Sequence, residues 1–306
     1  MKRITLLLLF LAISIAYAGN IELVEKQKLT DNKNGQFFFP KFSPDGKSVF
    51  FTSSDFRGLW RLNLSDLKID KITDSDGAGY KFGFSRNGQK LFYRTTRFKN
   101  KRKYHSLYEY DLQNNTEKII ESDERNLSSP LGISTGNYFY LKNGTPEKFE
   151  TALEKTEPGS FPLVYIENRN LILIRNGKKK VVNPLGDGIY LWPSVSPDGE
   201  KLLFTLGGKG TYVSDLDGNI LLEIGYANYP KWSPDGKWIL FMRDKDNGYT
   251  YTESDLFVIS SDGKDEVQLT DTPAEIEMYG EWSPGGREII YHNEKGEIYI
   301  LKLKIN

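Results

Sequence analysis

Short apolar runs separated by polar turns recur along most of the chain, and this pattern predicts β-strands rather than helices. The clearest example is KFSPDGKSVFF, residues 41–51, in which a Ser-Pro-Asp-Gly sequence separates two strand-like segments. Pro44 suits the second position of a β-turn, and Asp45 and Gly46 suit the two positions after it. This stretch therefore predicts a strand, a tight turn and a second strand.

The same unit recurs along the chain. Further copies are SVSPDGEKLLFT at 194–205, KWSPDGKWILFM at 231–242, EWSPGGREIIYH at 281–292 and a weaker GFSRNGQKLFYR at 83–94. The serine before each turn falls at positions 43, 85, 196, 233 and 283, which gives spacings of 42, 111, 37 and 50 residues. A repeat of roughly 40–50 residues that contains several strands is typical of a β-propeller.

One copy shows four strand-like segments in a row, as in the blade of a propeller: YPKWSP, KWILFM, SDLFVIS and VQLT, between residues 229 and 270. The last copy lacks a fourth segment. The stretch IELVEKQKLTD, from residue 21, is similar to the fourth segment DEVQLTD at 265–271. We therefore expect residues 21–30 to complete the last blade and close the ring, which removes exposed sheet edges.

The number of blades depends on the long interval between Ser85 and Ser196. Residues 132–144 and 158–175 each resemble a degraded hairpin, and the charged stretch 145–157 between them is either an insertion or two poor strands. The further strands that a seventh blade requires cannot be identified there. The sequence therefore predicts an all-β, six-bladed propeller, with seven blades as the alternative.

The first 18 residues have the composition of a signal peptide, with Lys2 and Arg3 before an apolar stretch and Ala16-Tyr17-Ala18 at a cleavage site. We expect cleavage before Gly19, a single propeller domain over 19–306, and secretion, most simply to the periplasm. The chain has no cysteine, which excludes disulfides. Removal of Lys2 and Arg3 leaves 39 basic and 41 acidic residues, a balance that argues against nucleic-acid binding.

The repeated SPDGK, followed in the copy at 229–270 by LFVISSDG and QLT, resembles the bacterial PD40 or TolB-type repeat, a WD40-like propeller family. The resemblance covers most of residues 19–306 and is strongest after Trp192. TolB has an α/β domain before its propeller, whereas here the predicted signal peptide leads almost directly into the ring-closing strand, so we expect no counterpart of that domain. By analogy the resemblance implies that a peptidoglycan-associated lipoprotein is a conceivable partner.

Several motifs suggest chemistry but have simpler explanations. GISTG at 132–136 matches a serine-hydrolase pattern around Ser134, but no helix is predicted after it. The two histidines, His105 and His292, are too few and too distant for a metal-dependent lyase, so we expect no metal and no cofactor. Asp244–Asp255 resembles a calcium loop, with glycine one position early, and is interpreted as a solvated connection.

The basic run RFKNKRK, residues 97–103, could contact a polyanion such as an acidic glycan or phospholipid headgroups. The simpler interpretation is a solvated loop between two strands of the second blade. The balanced charge of the chain favours this second interpretation.

Aromatic residues recur in the segments that lead into the inner strands, and these connections lie on one face of a propeller around the central channel. The predicted rim comprises Phe38, Phe39, Tyr80, Tyr190, Trp192, Tyr226, Tyr229 and Tyr279, with Asp187, Glu275 and Glu277 as polar contacts. Because neighbouring residues of a strand point to opposite faces, about half of these rings should pack in the core.

These observations predict a non-catalytic protein that binds a protein partner or a cell-envelope component at the channel mouth. The alternative is a carbohydrate-active enzyme, either a lyase or a glycoside hydrolase, that uses the channel. A third possibility is a purely structural module of an envelope assembly.

Overall fold

The computed structural model describes residues 21–132, 138–149, 161–273 and 275–306. The predicted signal peptide, residues 1–18, and Ser134 lie outside the described residues. No helix in this part of the chain is long and apolar enough to cross a membrane. The described residues form 26 β-strands and one short 3₁₀ helix, Asn32–Asn34.

The first fifteen strands, in chain order, are β1 Ile21–Lys28, β2 Phe38–Phe42, β3 Ser48–Thr52, β4 Leu59–Asn63, β5 Ile69–Thr73, β6 Gly83–Phe84, β7 Lys90–Lys99, β8 Arg102–Asp111, β9 Thr116–Glu124, β10 Leu131–Gly132, β11 Tyr138–Lys142, β12 Thr145–Lys148, β13 Leu163–Glu167, β14 Asn170–Arg175 and β15 Lys178–Val181. The remaining strands are β16 Tyr190–Val195, β17 Lys201–Leu206, β18 Gly210–Asp215, β19 Ile220–Gly225, β20 Asn228–Trp232, β21 Trp238–Asp246, β22 Tyr251–Ser260, β23 Glu266–Gln268, β24 Met278–Trp282, β25 Glu288–His292 and β26 Ile298–Ile305.

These strands form seven antiparallel sheets, which are the blades of a propeller. Blade 1 contains β2–β5, blade 2 β6–β9, blade 3 β10–β12, blade 4 β13–β15, blade 5 β16–β19, blade 6 β20–β23, and blade 7 β24–β26 with β1. Consecutive blades pack on one another through apolar clusters, and blade 7 packs on blade 1. The ring therefore has seven blades.

The preferred prediction of six blades is wrong, and the alternative of seven fits. The two degraded hairpins belong to separate sheets, blades 3 and 4, and β12 lies in the charged stretch 145–157, where an arrangement of six blades requires an insertion. Strand β10 has only two described residues, and all four residues of β15 are exposed. Such short or solvent-facing strands carry no apolar alternation, so the pattern does not reveal them.

The ring closes as predicted, because β1 pairs with β26 in blade 7. Ile21 lies opposite Ile305, and Lys28 lies opposite Tyr299. The side chain of Ile21 is buried in the cluster that joins blades 6 and 7. The outer edge of the last blade is therefore supplied by the other end of the described chain.

The Ser-Pro-Asp-Gly sequences form the predicted tight turns between the first two strands of their blades. In blade 1, the amide of Gly46 donates to the carbonyl of Ser43 at 2.9 Å, and the Ser43 hydroxyl donates to Asp45 at 2.6 Å. Gly88 of the next blade lies against Pro44. These turns therefore share one face of the ring, here called the turn face.

Because successive strands of a blade run in opposite directions, the opposite face carries two kinds of connection. One leads into each inner strand, and the other joins the second strand to the third. The contact between Phe39, at the start of β2, and Phe56, between β3 and β4, confirms that both lie on this face. We call it the mouth face.

Candidate binding site at the channel mouth

The inner strands of blades 1, 5, 6 and 7 contain the same irregularity on the mouth face. Each pairing with the second strand shifts register over two residues, which is the signature of a β-bulge. An aromatic residue with positive φ occupies each bulge: Phe39 at 53°, Trp192 at 48°, Tyr229 at 52° and Tyr279 at 56°. Bulky residues rarely adopt this conformation, so four copies at one structural position indicate a constraint imposed by the fold.

The four bulge residues meet edge to face across the blade boundaries. Ring centroids are 6.1 Å apart for Trp192 and Tyr229, 4.9 Å for Tyr229 and Tyr279, and 4.8 Å for Tyr279 and Phe39. The series continues from Phe39 to Phe56 at 4.7 Å and on to Tyr80 at 5.2 Å. We call this series of six rings the aromatic belt.

Phe56 is the member of the belt that the sequence analysis missed. It lies between the second and third strands of blade 1, with φ of 61°, and not before an inner strand. Its place on the mouth face could have been predicted, because the connection between the second and third strands of a blade lies on the same face as the connection that leads into the inner strand. In this seven-bladed ring the belt extends from blade 5 to the entrance of blade 2.

In blades 1, 6 and 7 a charged residue lies two positions after the bulge residue, on the same inner strand: Lys41, Lys231 and Glu281. Lys231 of blade 6 forms an ion pair of 2.7 Å with Glu281 of blade 7, and the Lys231 ammonium lies 4.3 Å from the ring centre of Tyr229. The Tyr229 hydroxyl donates to Glu281 at 3.2 Å. Solvent still reaches the pair, since 31% of the Lys231 side chain and 19% of the Glu281 side chain are exposed.

These contacts also affect ionisation. Burial raises the pKa of Tyr229 to about 12, so its hydroxyl remains protonated and can donate. Burial lowers the pKa of Lys231, but the neighbouring Glu281 carboxylate more than offsets this effect and the net pKa is raised. The Lys231 ammonium and the Glu281 carboxylate therefore lie next to the protonated hydroxyl of Tyr229, which belongs to the belt.

Lys41 of blade 1 donates to the Tyr138 hydroxyl of blade 3, two blades further along the ring, at 2.8 Å. The two side chains meet next to Gly83, on the inner strand of blade 2, where the absence of a side chain leaves room for the Tyr138 ring. A Cβ atom at Gly83 would lie 2.0 Å from the Tyr138 ring. The Tyr138 ring therefore occupies the inner side of blade 2.

His292, at the end of β25, lies beneath the belt and is 1% exposed. Its imidazole packs against Phe38, Phe39 and Tyr279, with centroid distances of 5.1–5.4 Å. Nδ1 lies 3.0 Å from the Asn293 carbonyl, and Nε2 has no hydrogen-bond partner among the described residues. Burial lowers the pKa of His292 to about 4, so the ring is neutral near pH 7.

Three other predicted rim residues lie outside the belt: Tyr190, Tyr226 and Asp187. Tyr190 is 1% exposed and donates to the Gly186 carbonyl, so it belongs to the core. Tyr226 is 55% exposed and donates to Asp244 at 2.9 Å, beside the belt rather than within it. Asp187 is exposed, three residues before Tyr190.

The two predicted glutamates hold the ring-closing strand. Lys26 of β1 binds Glu275 at 2.6 Å and Glu277 at 3.4 Å. The Glu277 side chain is fully buried, and burial raises its pKa to about 7 although Thr272 and Lys26 act in the opposite direction. One of its carboxylate oxygens has no partner in the described structure.

The other motifs lie on long hairpins of the mouth face. Asp244–Asp255 forms the β21–β22 hairpin, in which Asp244 accepts from Asn228 at 2.7 Å and Lys245 pairs with Glu253 at 2.5 Å. Within the described ranges, no three His, Cys, Asp or Glu side chains are placed to hold a metal ion. The basic run 97–103 forms the tip of the β7–β8 hairpin.

No family model matches this sequence, and no curated protein matches it. Among solved structures, it is similar to a putative TolB from Agrobacterium tumefaciens, with 17% identity over 88% of this chain and 90% of that one and a TM-score of 0.53. An oligogalacturonate lyase from Vibrio parahaemolyticus has 13% identity over 90% and 79%, with a TM-score of 0.50.

TolB from Acinetobacter baumannii is 18% identical over 77% of this chain, with a TM-score of 0.49. The match spans only 54% of the TolB chain, about half of its length. At these identities the similarities show the fold alone. The chain is therefore a β-propeller with TolB-like structural neighbours, and its membership of the TolB-type family stays a prediction.

Proposed function

We propose that this protein is an exported, non-catalytic binding module that holds a protein partner or a cell-envelope component against the aromatic belt. The observation that carries the proposal is the repetition of one strained aromatic position in four blades, which brings four rings into mutual contact on one face. Core packing alone does not require positive φ at bulky residues. Such conformations persist where the surroundings enforce them, and they cluster at ligand-binding sites.

The belt suits recognition because large rings offer contact area at a small entropic cost. The Lys231–Glu281 pair and the Tyr229 hydroxyl add fixed polar groups that can orient a ligand. Because the rings are held by bulges on rigid inner strands, little ordering is needed when a ligand binds. The proposed mechanism is therefore recognition by a preformed surface.

The direct test is binding of the chain 19–306 to a purified peptidoglycan-associated lipoprotein and to soluble peptidoglycan fragments. We would compare the wild type with the double variant Trp192→Ala, Tyr229→Ala. Loss of two anchor rings should weaken binding by at least about 30-fold, since a central anchor contributes about 2 kcal/mol or more.

The matched control is Ile189→Ala, Tyr249→Ala, which removes two exposed apolar groups outside the belt. Circular dichroism and thermal unfolding must show that both double variants are folded. Equal binding by the wild type and the belt variant, while the control behaves alike, would show that the belt is not the binding surface.

The competing function is a carbohydrate-active enzyme, and one solved structure with this fold is an oligogalacturonate lyase. Incubation of the chain with oligogalacturonate, with and without added manganese, tests this alternative by the ultraviolet absorbance of an unsaturated product. Sustained turnover that is lost in a channel variant such as Glu281→Gln would contradict the non-catalytic proposal.

Export is a separate part of the proposal and rests on the predicted signal peptide. Expression of the full sequence in a bacterium, followed by fractionation and N-terminal sequencing, should yield a periplasmic protein that begins at Gly19. Recovery of an uncleaved cytoplasmic chain would contradict it.

A further inference from the structure

The β7–β8 hairpin of blade 2 is a long and well-formed arm on the mouth face. Its ten paired positions extend from Lys90 opposite Asp111 to Lys99 opposite Arg102. Asn100 and Lys101 close it with φ of 50° and 61°, as in the tight turns that match strand twist. By comparison, β3 and β4 of blade 1 contain five residues each. The basic run is therefore the rigid tip of a projection and not an irregular loop.

The tip combines a large exposed ring with unneutralised positive charge. Phe98 is 72% exposed. The four cations that follow it are all exposed and form no ion pair with any described residue: Lys99, Lys101, Arg102 and Lys103. Only Arg97, on the side nearer the ring of blades, is paired, with Asp123.

The four cations lie on both faces of the hairpin, around the Phe98 side chain. Phe98 and Lys103 are directly opposite each other, while Lys99 and Arg102 are opposite at the next position and point to the other face. This arrangement forms a knob and not a groove. A linear polyanion is bound better by a groove, whereas a knob with an apolar point and a collar of cations matches a flat surface that is anionic outside and apolar beneath.

We propose that the β7–β8 tip docks on a membrane rich in anionic phospholipids, with Phe98 entering the headgroup region and the four cations contacting the phosphates. The proposal does not depend on the identity of the ligand at the aromatic belt. Each cation near such a surface strengthens binding about five-fold, and the effect decays within a Debye length. The tip alone therefore gives reversible, salt-sensitive association.

The β21–β22 hairpin of blade 6 gives an internal comparison. It projects from the same face almost opposite blade 2, and its tip carries the exposed ring of Tyr249 together with Asp246 instead of a cationic collar. An anionic surface repels this second tip. Docking through blade 2 therefore tilts the ring and brings the mouth face toward the lipid, where a membrane-anchored partner can reach the belt.

The test uses the chain 19–306 and vesicles of phosphatidylcholine with or without about one third phosphatidylglycerol. Sedimentation should show at least about ten-fold stronger binding to the anionic vesicles, lost at about 0.5 M NaCl. Replacement of the four tip cations by glutamine should abolish the preference for anionic lipid, and Phe98→Ala should weaken binding several-fold while the salt dependence remains. The matched control, Tyr249→Ala, should bind as the wild type does.

A second readout does not depend on affinity. Tryptophan at position 98, introduced by Phe98→Trp, should shift its emission to shorter wavelength with anionic vesicles only. Equal binding to neutral and anionic vesicles would overturn the proposal, as would unchanged binding of the four-cation variant. Retention on soluble polygalacturonate without binding to vesicles would overturn it in favour of an acidic glycan.

Discussion

The phenol ring of Tyr279 lies nearly parallel to the imidazole of His292, with centroids 5.4 Å apart and ring planes inclined by 18°. The first belongs to the aromatic belt, and the second is fully enclosed beneath it. Because Nε2 of His292 has no partner among the described residues, the enclosure tolerates only the neutral imidazole. Protonation of His292 at acid pH should therefore destabilise the fold beneath the aromatic belt.

We expect His292→Phe to reduce the loss of stability at acid pH. The folded-state pKa of His292 is about 4, below the ordinary value of 6.5, so the unfolded chain binds the extra proton between these values. Stability is therefore lost as pH falls from about 6.5 to about 4, by up to roughly 3 kcal/mol for this residue. Urea unfolding at pH 7 and pH 4.5 should show a smaller difference for the variant, and an identical difference would contradict the assignment.

The contribution of Glu277 to the pH dependence of stability should be opposite to that of His292. Its folded-state pKa of about 7 exceeds the ordinary 4.5, so the folded chain holds the proton in this window and stability falls as pH rises from 4.5 to 7. Glu277→Gln should abolish this loss, with a difference from the wild type of up to roughly 3 kcal/mol between pH 5 and pH 8. Glu253→Gln, on an exposed ion pair, is the matched control for the removal of one carboxylate. If the stability of Glu277→Gln depended on pH in the same way as that of the wild type, the prediction would be wrong.

Closure of the ring should depend on the inward-facing residues of β1. Ile21 is 1% exposed, whereas Val24, at the bulge of the same strand, is 62% exposed. We expect Ile21→Ala to lower the free energy of unfolding by about 2–4 kcal/mol, because it opens a cavity between blades 6 and 7. Val24→Ala should change it by less than about 0.5 kcal/mol. Chemical denaturation measures both, and similar values for the two variants would exclude a structural role for the pairing of β1 with β26.

The strong repeats made the fold class and the closure of the ring predictable. Each Ser-Pro-Asp-Gly turn encodes its own conformation, and β1 retains the sequence of a fourth strand. The blade count was not predictable in the same way. Blades 3 and 4 contain short or exposed strands such as β10 and β15, whose backbone pairing imposes almost no side-chain pattern.

The candidate site was predictable in part. The positions before the inner strands identified Phe39, Trp192, Tyr229 and Tyr279, but not the bulge that turns them toward one another. Tyr190, two residues before the bulge residue Trp192, is instead buried, and its hydroxyl donates to the Gly186 carbonyl. Glu275 and Glu277 were predicted as rim contacts, yet they bind Lys26 of the ring-closing strand. That contact links distant ends of the described chain, so no local pattern could show it.

The last turn of the repeat offers a way to stabilise the protein. In blade 7 Gly285 replaces the aspartate of the turns in blades 1, 5 and 6, its φ is not positive, and a Cβ atom there would meet nothing within 4 Å. In blade 6 the equivalent Asp235 accepts from the Ser233 hydroxyl at 2.6 Å and from the Lys237 amide at 3.1 Å. We expect Gly285→Asp to restore both bonds and raise the free energy of unfolding by about 0.5–1 kcal/mol.

The reciprocal variant, Asp235→Gly, removes the same two bonds from blade 6 and should lower the free energy of unfolding by a similar amount. The double variant, Asp235→Gly with Gly285→Asp, should return close to the wild type, because the two turns lie in different blades and their effects should nearly add. Thermal unfolding of the four proteins in parallel measures this cycle. A Gly285→Asp variant no more stable than the wild type would show that the side-chain bonds of the turn contribute little beyond its backbone hydrogen bonds.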